Sequence, residues 1–230
     1  MTFIQNGKYL EMNINKPKIS HLGDSSIIVR FSDKINAEDN DKVYSFYKLI
    51  KEKNYSFVKD VIPTYNSVAI EYLQSEKTFF EIKELVKSLT DELSEIKFDY
   101  EKKIIDIPVK YGGKYGPDIN FVSDYCKISR EKLIELHTGV DYRVYMIGFS
   151  PGFPYLGGMN YKLVCPRVKK PRINVPAGSV GIAEQQTGIY PIDSPGGWQI
   201  IGKTFLNLFD LSNKNPSYIS PGNIIRFRED

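Results

Sequence analysis

The chain has 230 residues and a formal net charge of +3, from 31 Lys and Arg against 28 Asp and Glu, and 41% of it is hydrophobic. That length supports one to two domains with real cores, and the interspersed charges, as in Glu76-Lys77 and Glu131-Lys132, leave no nucleic-acid footprint. No apolar run approaches the roughly 20 residues of a membrane helix, and Met1 to Asn15 lacks the apolar core of a secretory signal, so the expected location is the cytoplasm, away from membranes. Cys126 and Cys165 stand far apart in sequence and have no metal-ligand spacing, so idle thiols and no metal are expected.

In chain order, Ile19–Leu22 and Ile27–Phe31 read as strands around the turn signal Gly23-Asp24. Asn36 is placed to cap a helix whose first turn carries Glu38 and Asp39, with Val43, Phe46, Tyr47 and Ile50 on one face. Phe57–Ile62 and Ser67–Tyr72 read as two more strands. A second helix follows, its stripe formed by Phe79, Ile82, Leu85, Val86, Leu89 and Leu93. The expected product over residues 1–95 is a small α+β domain: an antiparallel sheet of four strands with both helices on one face. The polar stretch from Ser94 to Lys103 reads as a linker.

The second domain is expected over residues 96–230. Ile105, Ile107 and Val109 alternate as a strand. Pro117-Asp118 opens a short helix with Phe121, Val122 and Tyr125, and Ser129 caps another that runs from Arg130 to His137 and stops at Gly139. From Tyr142 onward the signals are short strands and turns, the pattern of a closed or nearly closed β-barrel. More than half of the 17 Gly and 13 Pro lie between Tyr145 and Thr204, among aromatic and aliphatic residues. Such stiff, shaped loops on a scaffold usually form binding surfaces.

Gly197-Trp-Gln-Ile-Ile-Gly202-Lys203-Thr204 fits the phosphate-loop formula, but its four middle residues read as a strand and no long helix follows, so the match is taken as accidental. His137 ends a helix just before the Gly-Pro-rich region. A histidine there either satisfies helix carbonyls or faces a pocket as acid, base or hydrogen-bonding group, and both readings stay open. Arg167 and Arg172 stand in two Pro-Arg dipeptides whose prolines restrict the backbone, which favours presentation of guanidinium forks to an anion over plain surface charge. Phe149, Phe153, Tyr155, Tyr190 and Trp198 suit a barrel core. Those inside loops, Phe153 and Tyr155 especially, suit a pocket or partner groove better.

These blocks resemble a known family. Gly23-Asp24-Ser25, His137 with Tyr145, Gly148-Phe-Ser-Pro-Gly-Phe-Pro-Tyr-Leu-Gly-Gly158, Pro166-Arg167, Pro171-Arg172, Val175-Pro-Ala-Gly-Ser-Val180, Gln186-Thr-Gly-Ile-Tyr-Pro191, Ser194-Pro-Gly-Gly-Trp198 and Ile201-Gly202 occur in order. Together they are similar to the B subunit of bacterial ATP-dependent 5-oxoprolinase, the family also called allophanate hydrolase subunit 1, which includes the sporulation-kinase inhibitor KipI. The resemblance implies a cyclophilin-like barrel after the N-terminal domain. It also implies work with a C subunit and an A subunit to open 5-oxoproline to L-glutamate, with ATP and Mg used by the assembled complex and no cofactor held by this chain alone. The alternative it implies is a non-catalytic inhibitor that binds the dimerisation domain of a sporulation-type histidine kinase.

On this resemblance, together with the residue chemistry above, His137 is expected to be catalytic. Substrate-binding roles are expected for Arg167, Arg172, Gly178, Ser179, Gln186, Tyr190, Gly196 and Gly197. Phe149, Pro151, Phe153, Tyr155 and Trp198 are expected to line a pocket or meet a partner. Three positions depart from the family pattern: Lys203 and Phe205 stand where Arg and Pro are more usual, and Glu184 stands where Gly is usual.

Overall fold

The computed structural model describes residues 2–5, 8–11, 16–95 and 103–230. The chain divides into two compact units, Met1–Tyr100 and Glu101–Asp230, a division five residues beyond the boundary read at 95. The linker read from Ser94 to Lys103 lies mostly outside the described residues.

The first unit begins with an antiparallel pair, β1 (Thr2–Gln5) and β2 (Lys8–Glu11), for which the sequence reading has no counterpart. It continues through β3 (Lys18–His21), β4 (Ser26–Arg30), α1 (Ala37–Lys53), β5 (Val58–Pro63), β6 (Ser67–Tyr72) and α2 (Phe79–Glu95). The sheet is antiparallel throughout, in the order β3-β4-β6-β5. Asn36 caps α1 by accepting the Asp39 N–H at 2.8 Å. Thr78 and Glu81 form a reciprocal capping box at the start of α2: the Thr78 N–H donates to the Glu81 carboxylate at 2.8 Å, and the Glu81 N–H donates back to the Thr78 hydroxyl at 3.3 Å. The helices pack on the sheet and on each other, burying Val43, Phe46, Ile82 and Val86 against Ile27, Val29, Val68 and Ile70. A helix with one apolar stripe has no other way to remove it from water, which is why both lie on one face.

The second unit contains β7 (Ile104–Tyr111), α3 (Ile119–Cys126), α4 (Arg130–Thr138), β8 (Tyr142–Ile147), β9 (Pro154–Gly157), β10 (Arg172–Val175), β11 (Ser179–Ala183), β12 (Gln186–Ile189), β13 (Ser194–Gly196), β14 (Gln199–Lys203) and β15 (Ile224–Glu229). Seven of these strands close a barrel in the order β11-β12-β9-β8-β15-β7-β14, and β10 with β13 forms a separate ribbon. The barrel is antiparallel except where β7 runs parallel to β15, from Ile104 opposite Ile224 to Val109 opposite Glu229. Alternation sends Ile105, Ile107 and Val109 inward to meet Tyr142, Leu156, Ile182, Ile189, Ile201 and Phe227. The whole is α+β, as the residue pattern implies. One helix differs in its face: in α3 only Val122 of the three expected apolar residues is buried, while Phe121 and Tyr125 stack on each other at the surface. Among the described residues no helix is long and apolar enough to cross a membrane.

Glu184 opens the two-residue turn between β11 and β12, where Ala183 pairs with Gln186. Its φ is +51°, in the left-handed region, and its side chain is exposed. A two-residue hairpin with positive φ at its first central position favours Gly there, because a Cβ is crowded by the backbone. Glu184 holds this position at the cost of local strain. Glu184→Gly is expected to raise stability by about 1 kcal/mol, the relief of a left-handed non-glycine residue less the added chain entropy of Gly. Urea denaturation of both proteins checks this, and a lower midpoint in the variant would show that the exposed side chain contributes more than its backbone costs.

Candidate functional site

Beside the β10–β13 ribbon lies a pocket of about 260 Å³, lined by Phe149, Phe153, Tyr155, Arg167, Tyr190 and the Gly196-Gly197-Trp198 turn, with Val168, Pro171 and Pro195 at its edges. Phe153, only 1% exposed, is the centre of the ring cluster that forms its wall. The rings of Phe149, Tyr155, Tyr190 and Trp198 stand around it at centroid distances of 5.4, 5.2, 5.2 and 5.4 Å, all edge-to-face. That geometry places positive ring edges against negative ring faces.

Local sequence explains the approach. A Cβ at Gly196 would lie 2.4 Å from the Tyr190 hydroxyl, and one at Gly188 would lie 2.9 Å from Phe153 and 3.0 Å from Trp198, so only glycine lets these rings close. The loop from Gly148 to Phe153 folds back on itself, with the Gly148 N–H donating to the Phe153 carbonyl at 3.0 Å and the Phe153 N–H to the Ser150 carbonyl at 3.0 Å. Within it Phe149 has φ +64° and is 63% exposed. An aromatic residue held in the left-handed region at a pocket rim is the kind of strain that accumulates at binding sites.

Arg167 supplies the charge. It rides on the strap from Pro166 to Pro171, which is pinned where the Val168 N–H meets the Gly197 carbonyl at 2.8 Å and the Gln199 amide meets the Pro166 carbonyl at 3.0 Å. Among the described residues Arg167 has no ion-pair partner, and it is exposed. Burial pushes the Tyr155 and Tyr190 phenols above their ordinary pKa, with the nearby Arg167 guanidinium partly offsetting the effect, so both remain neutral hydroxyls at physiological pH. The site is therefore an apolar aromatic box with one cation and two phenols, suited to a small ring that carries a carboxylate or another planar anion.

Several expected site residues lie elsewhere. Arg172, expected to hold a substrate carboxylate, is already engaged: its Nη2 donates to both carboxylate oxygens of Asp118, at 2.6 and 2.8 Å. That partner stands 54 positions away, and no local signal marks it. Gly178 and Ser179 sit at a barrel seam, where the Gly178 N–H donates to the Tyr190 carbonyl and the Ser179 carbonyl accepts the Tyr190 N–H. They support the pocket through backbone. Gln186 stands at the hairpin turn opposite Ala183, and Pro151 is exposed in the loop beside Phe149.

His137, expected to be catalytic, is fully buried in the barrel among Tyr111, Tyr142 and Phe227. Its Nε2 meets the Thr187 hydroxyl at 3.0 Å and its Nδ1 the Tyr111 hydroxyl at 2.7 Å. The Thr187 hydroxyl donates its one hydrogen to the Gly181 carbonyl at 3.0 Å, so Nε2 carries the imidazole proton and Nδ1 accepts from Tyr111. With both nitrogens engaged and no exposed surface, His137 has a core role and no access to a ligand. Burial lowers its pKa to about 3.

The phosphate-loop match is a strand: Gln199–Lys203 is β14, bonded to β11 and β7 inside the barrel. Its backbone groups are committed to those ladders, whereas a phosphate cradle needs them free.

Residues 17–219 match the family model for the carboxyltransferase domain, subdomain C and D. The chain is 40% identical over 222 residues to the 5-oxoprolinase B subunit of Bacillus subtilis (strain 168), covering 91% of each protein. The crystal structure of TTHA0988 superposes with a TM-score of 0.79 at 31% identity, over 89% of this chain but 40% of that one, so this chain spans about two fifths of that protein's length. The crystal structure of the conserved uncharacterized protein PH0987 from Pyrococcus horikoshii is 42% identical over 93% of this chain and 97% of its own, with a TM-score of 0.55.

The buried histidine gives stability a pH dependence of known sign. Its folded pKa of about 3 lies below the ordinary 6.5. The unfolded chain therefore takes up a proton that the folded chain refuses, and stability is full above pH 6.5 and is lost as pH falls from there towards 3. The steepest loss is expected at about 1.4 kcal/mol per pH unit, the worth of one proton. His137→Gln should be less stable at neutral pH and flatter across the window above the carboxylate range, measured by urea midpoints at several pH values. Equal slopes in the two proteins would remove His137 as the cause.

Proposed function

The chain belongs to the family of 5-oxoprolinase B subunits within the carboxyltransferase subdomain C and D group, and on that premise we propose that it is a subunit of an ATP-dependent 5-oxoprolinase. In this reading it acts with A and C subunits to open 5-oxoproline to L-glutamate and is inactive alone. The observation that carries the proposal is the aromatic pocket with the exposed guanidinium of Arg167, built by the Gly-Pro blocks that tie the chain to its family.

A five-membered lactam bearing one carboxylate has the shape and charge for such a site. The rings of Phe149, Tyr155 and Trp198 take the apolar ring, and Arg167 takes the carboxylate through a bidentate fork. Enclosure strengthens that pairing and keeps water from the lactam until it is activated. In the overall reaction water adds to the lactam carbonyl carbon, the C–N bond breaks and the nitrogen leaves protonated as the amine of glutamate. ATP would supply activation by phosphorylating the lactam oxygen, with ADP released at that step and the phosphoryl group lost to water as phosphate. The phosphate-loop formula gives no nucleotide site in this chain, because that segment is a barrel strand. In this reading ATP with Mg acts in the assembled complex, and this chain's residues bind and enclose the lactam. Support for partners comes from TTHA0988, whose chain continues well beyond the part this protein matches. The exposed rim of Phe149 and Pro151 offers a surface where a partner could complete the pocket.

The test is glutamate release and ATP hydrolysis driven by 5-oxoproline, measured for the chain alone, with the C subunit, and with both partners. Turnover is expected only when all are present, and robust glutamate release by the isolated chain would overturn the subunit reading. Arg167→Ala in the full complex should raise KM for 5-oxoproline roughly ten- to a hundred-fold, the loss of one charged hydrogen-bonding partner. Unchanged KM would remove Arg167 from the carboxylate role.

A further inference from the structure

Asp118 stands at the N-cap position of α3 but makes no side-chain capping bond there. An aspartate in that position normally accepts a helix N–H, and forgoing this costs the helix stability. Its carboxylate instead bonds to β14 and β10. One oxygen accepts the Ile200 N–H at 2.6 Å, and both receive the Arg172 guanidinium at 2.6 and 2.8 Å. The Asp118 N–H also donates to the Ile200 carbonyl at 2.9 Å. Arg172 then reaches on, with Nη1 donating to the Trp198 carbonyl at 3.3 Å. Trp198 also packs its ring edge-to-face on Phe153 in the pocket wall, at a centroid distance of 5.4 Å. Trp198 is therefore held twice, its ring by the aromatic cluster and its backbone carbonyl by the Asp118–Arg172 pair. The pair is partly shielded, with 14% of the Asp118 side chain and 32% of Arg172 exposed, where an ion pair holds geometry better than at an open surface.

We propose that Asp118 and Arg172 are positioning residues: they fix Trp198 as the inner wall of the pocket and so set its affinity for the ring of the ligand. The identity of that ligand as 5-oxoproline rests on the subunit reading, whereas the placement of Trp198 does not.

Trp198 is the sole tryptophan of the chain, so its fluorescence reports this wall directly. Asp118→Asn keeps the size and removes the charge, and Arg172→Lys keeps the charge but removes the second nitrogen that joins Asp118 to the Trp198 carbonyl. Arg226→Gln serves as the control, since Arg226 pairs with the Asp141 carboxylate through Nε and Nη2 at 2.6 and 2.9 Å, away from the pocket lining. All three are expected to fold with modestly lowered Tm. Only the Asp118 and Arg172 variants should red-shift the Trp198 emission and raise its accessibility to acrylamide, with Asp118→Glu restoring part of both. In the full complex the same two variants should raise KM for 5-oxoproline by about ten-fold and leave kcat within about two-fold, because they loosen ground-state and transition-state binding alike. Emission and quenching no different from the control would overturn the proposal and leave the pair a plain stabilising contact. If the unmodified complex shows no 5-oxoproline turnover, the subunit reading fails, and the emission comparison decides the positioning role alone.

Discussion

The site depends on one ring being surrounded by four others. Phe153 enters the second unit at the start of β9 and is closed in by Phe149, Tyr155, Tyr190 and Trp198, each from a different stretch of chain. Each edge-to-face pair is worth about 0.5–1.5 kcal/mol beyond the area it buries. The cluster therefore gathers the Gly148–Gly152 loop, β9, the end of β12 and the turn before β14 into one wall. Glycines at 188 and 196 are the condition for this closure, since a methyl group at either would stand in the space a ring occupies. The dense Gly content of this region is thus less about flexibility than about how closely rings and backbone can approach.

A second constraint runs through the barrel itself. Tyr111 on β7 donates to His137 on α4, His137 donates to Thr187 on β12, and Thr187 donates to the Gly181 carbonyl on β11. The Tyr142 hydroxyl adds a bond to the His137 carbonyl at 2.8 Å. Every polar group in this relay is satisfied, which is what makes a buried polar chain tolerable and gives it directional specificity that apolar contacts lack. The relay pins a helix end inside the barrel and ties β7 to the β11–β12 hairpin whose far strand carries Tyr190 near its end. The histidine that chemistry would nominate for catalysis is thereby part of the frame on which the pocket stands.

Local strain is distributed unevenly over this frame. Phe149 and Glu184 both hold left-handed φ without being glycine, yet their settings differ. Glu184 lies at a hairpin tip with an exposed side chain, and its N–H meets the Cys165 carbonyl at 2.7 Å. Phe149 lies at the pocket rim against Phe153 and Tyr190. Strain at the tip serves the turn and its bridge to Cys165, whereas strain at the rim places a ring where a ligand or partner would meet it.

The sequence alone determined the features that arise within a few residues. The Asn36 and Ser129 caps, the stripes of α1 and α2, the alternation of β7 and the Gly-Pro character of the pocket loops are all local, because hydrogen-bonded turns and side-chain periodicity act over one helical turn or one pleat. Arg167 with Phe149, Phe153, Tyr155, Tyr190 and Trp198 was legible for the same reason: stiff loops with aromatic and guanidinium groups advertise a surface. Tertiary structure alone decided which groups face one another. The parallel seam of β7 and β15 joins opposite ends of the second unit, the direction of His137 is set by how α4 meets the barrel, and Asp118 finds Arg172 only after β14 is in register. Those outcomes depend on ladder register between distant segments, and a shift of one residue would turn every side chain of a strand to its other face.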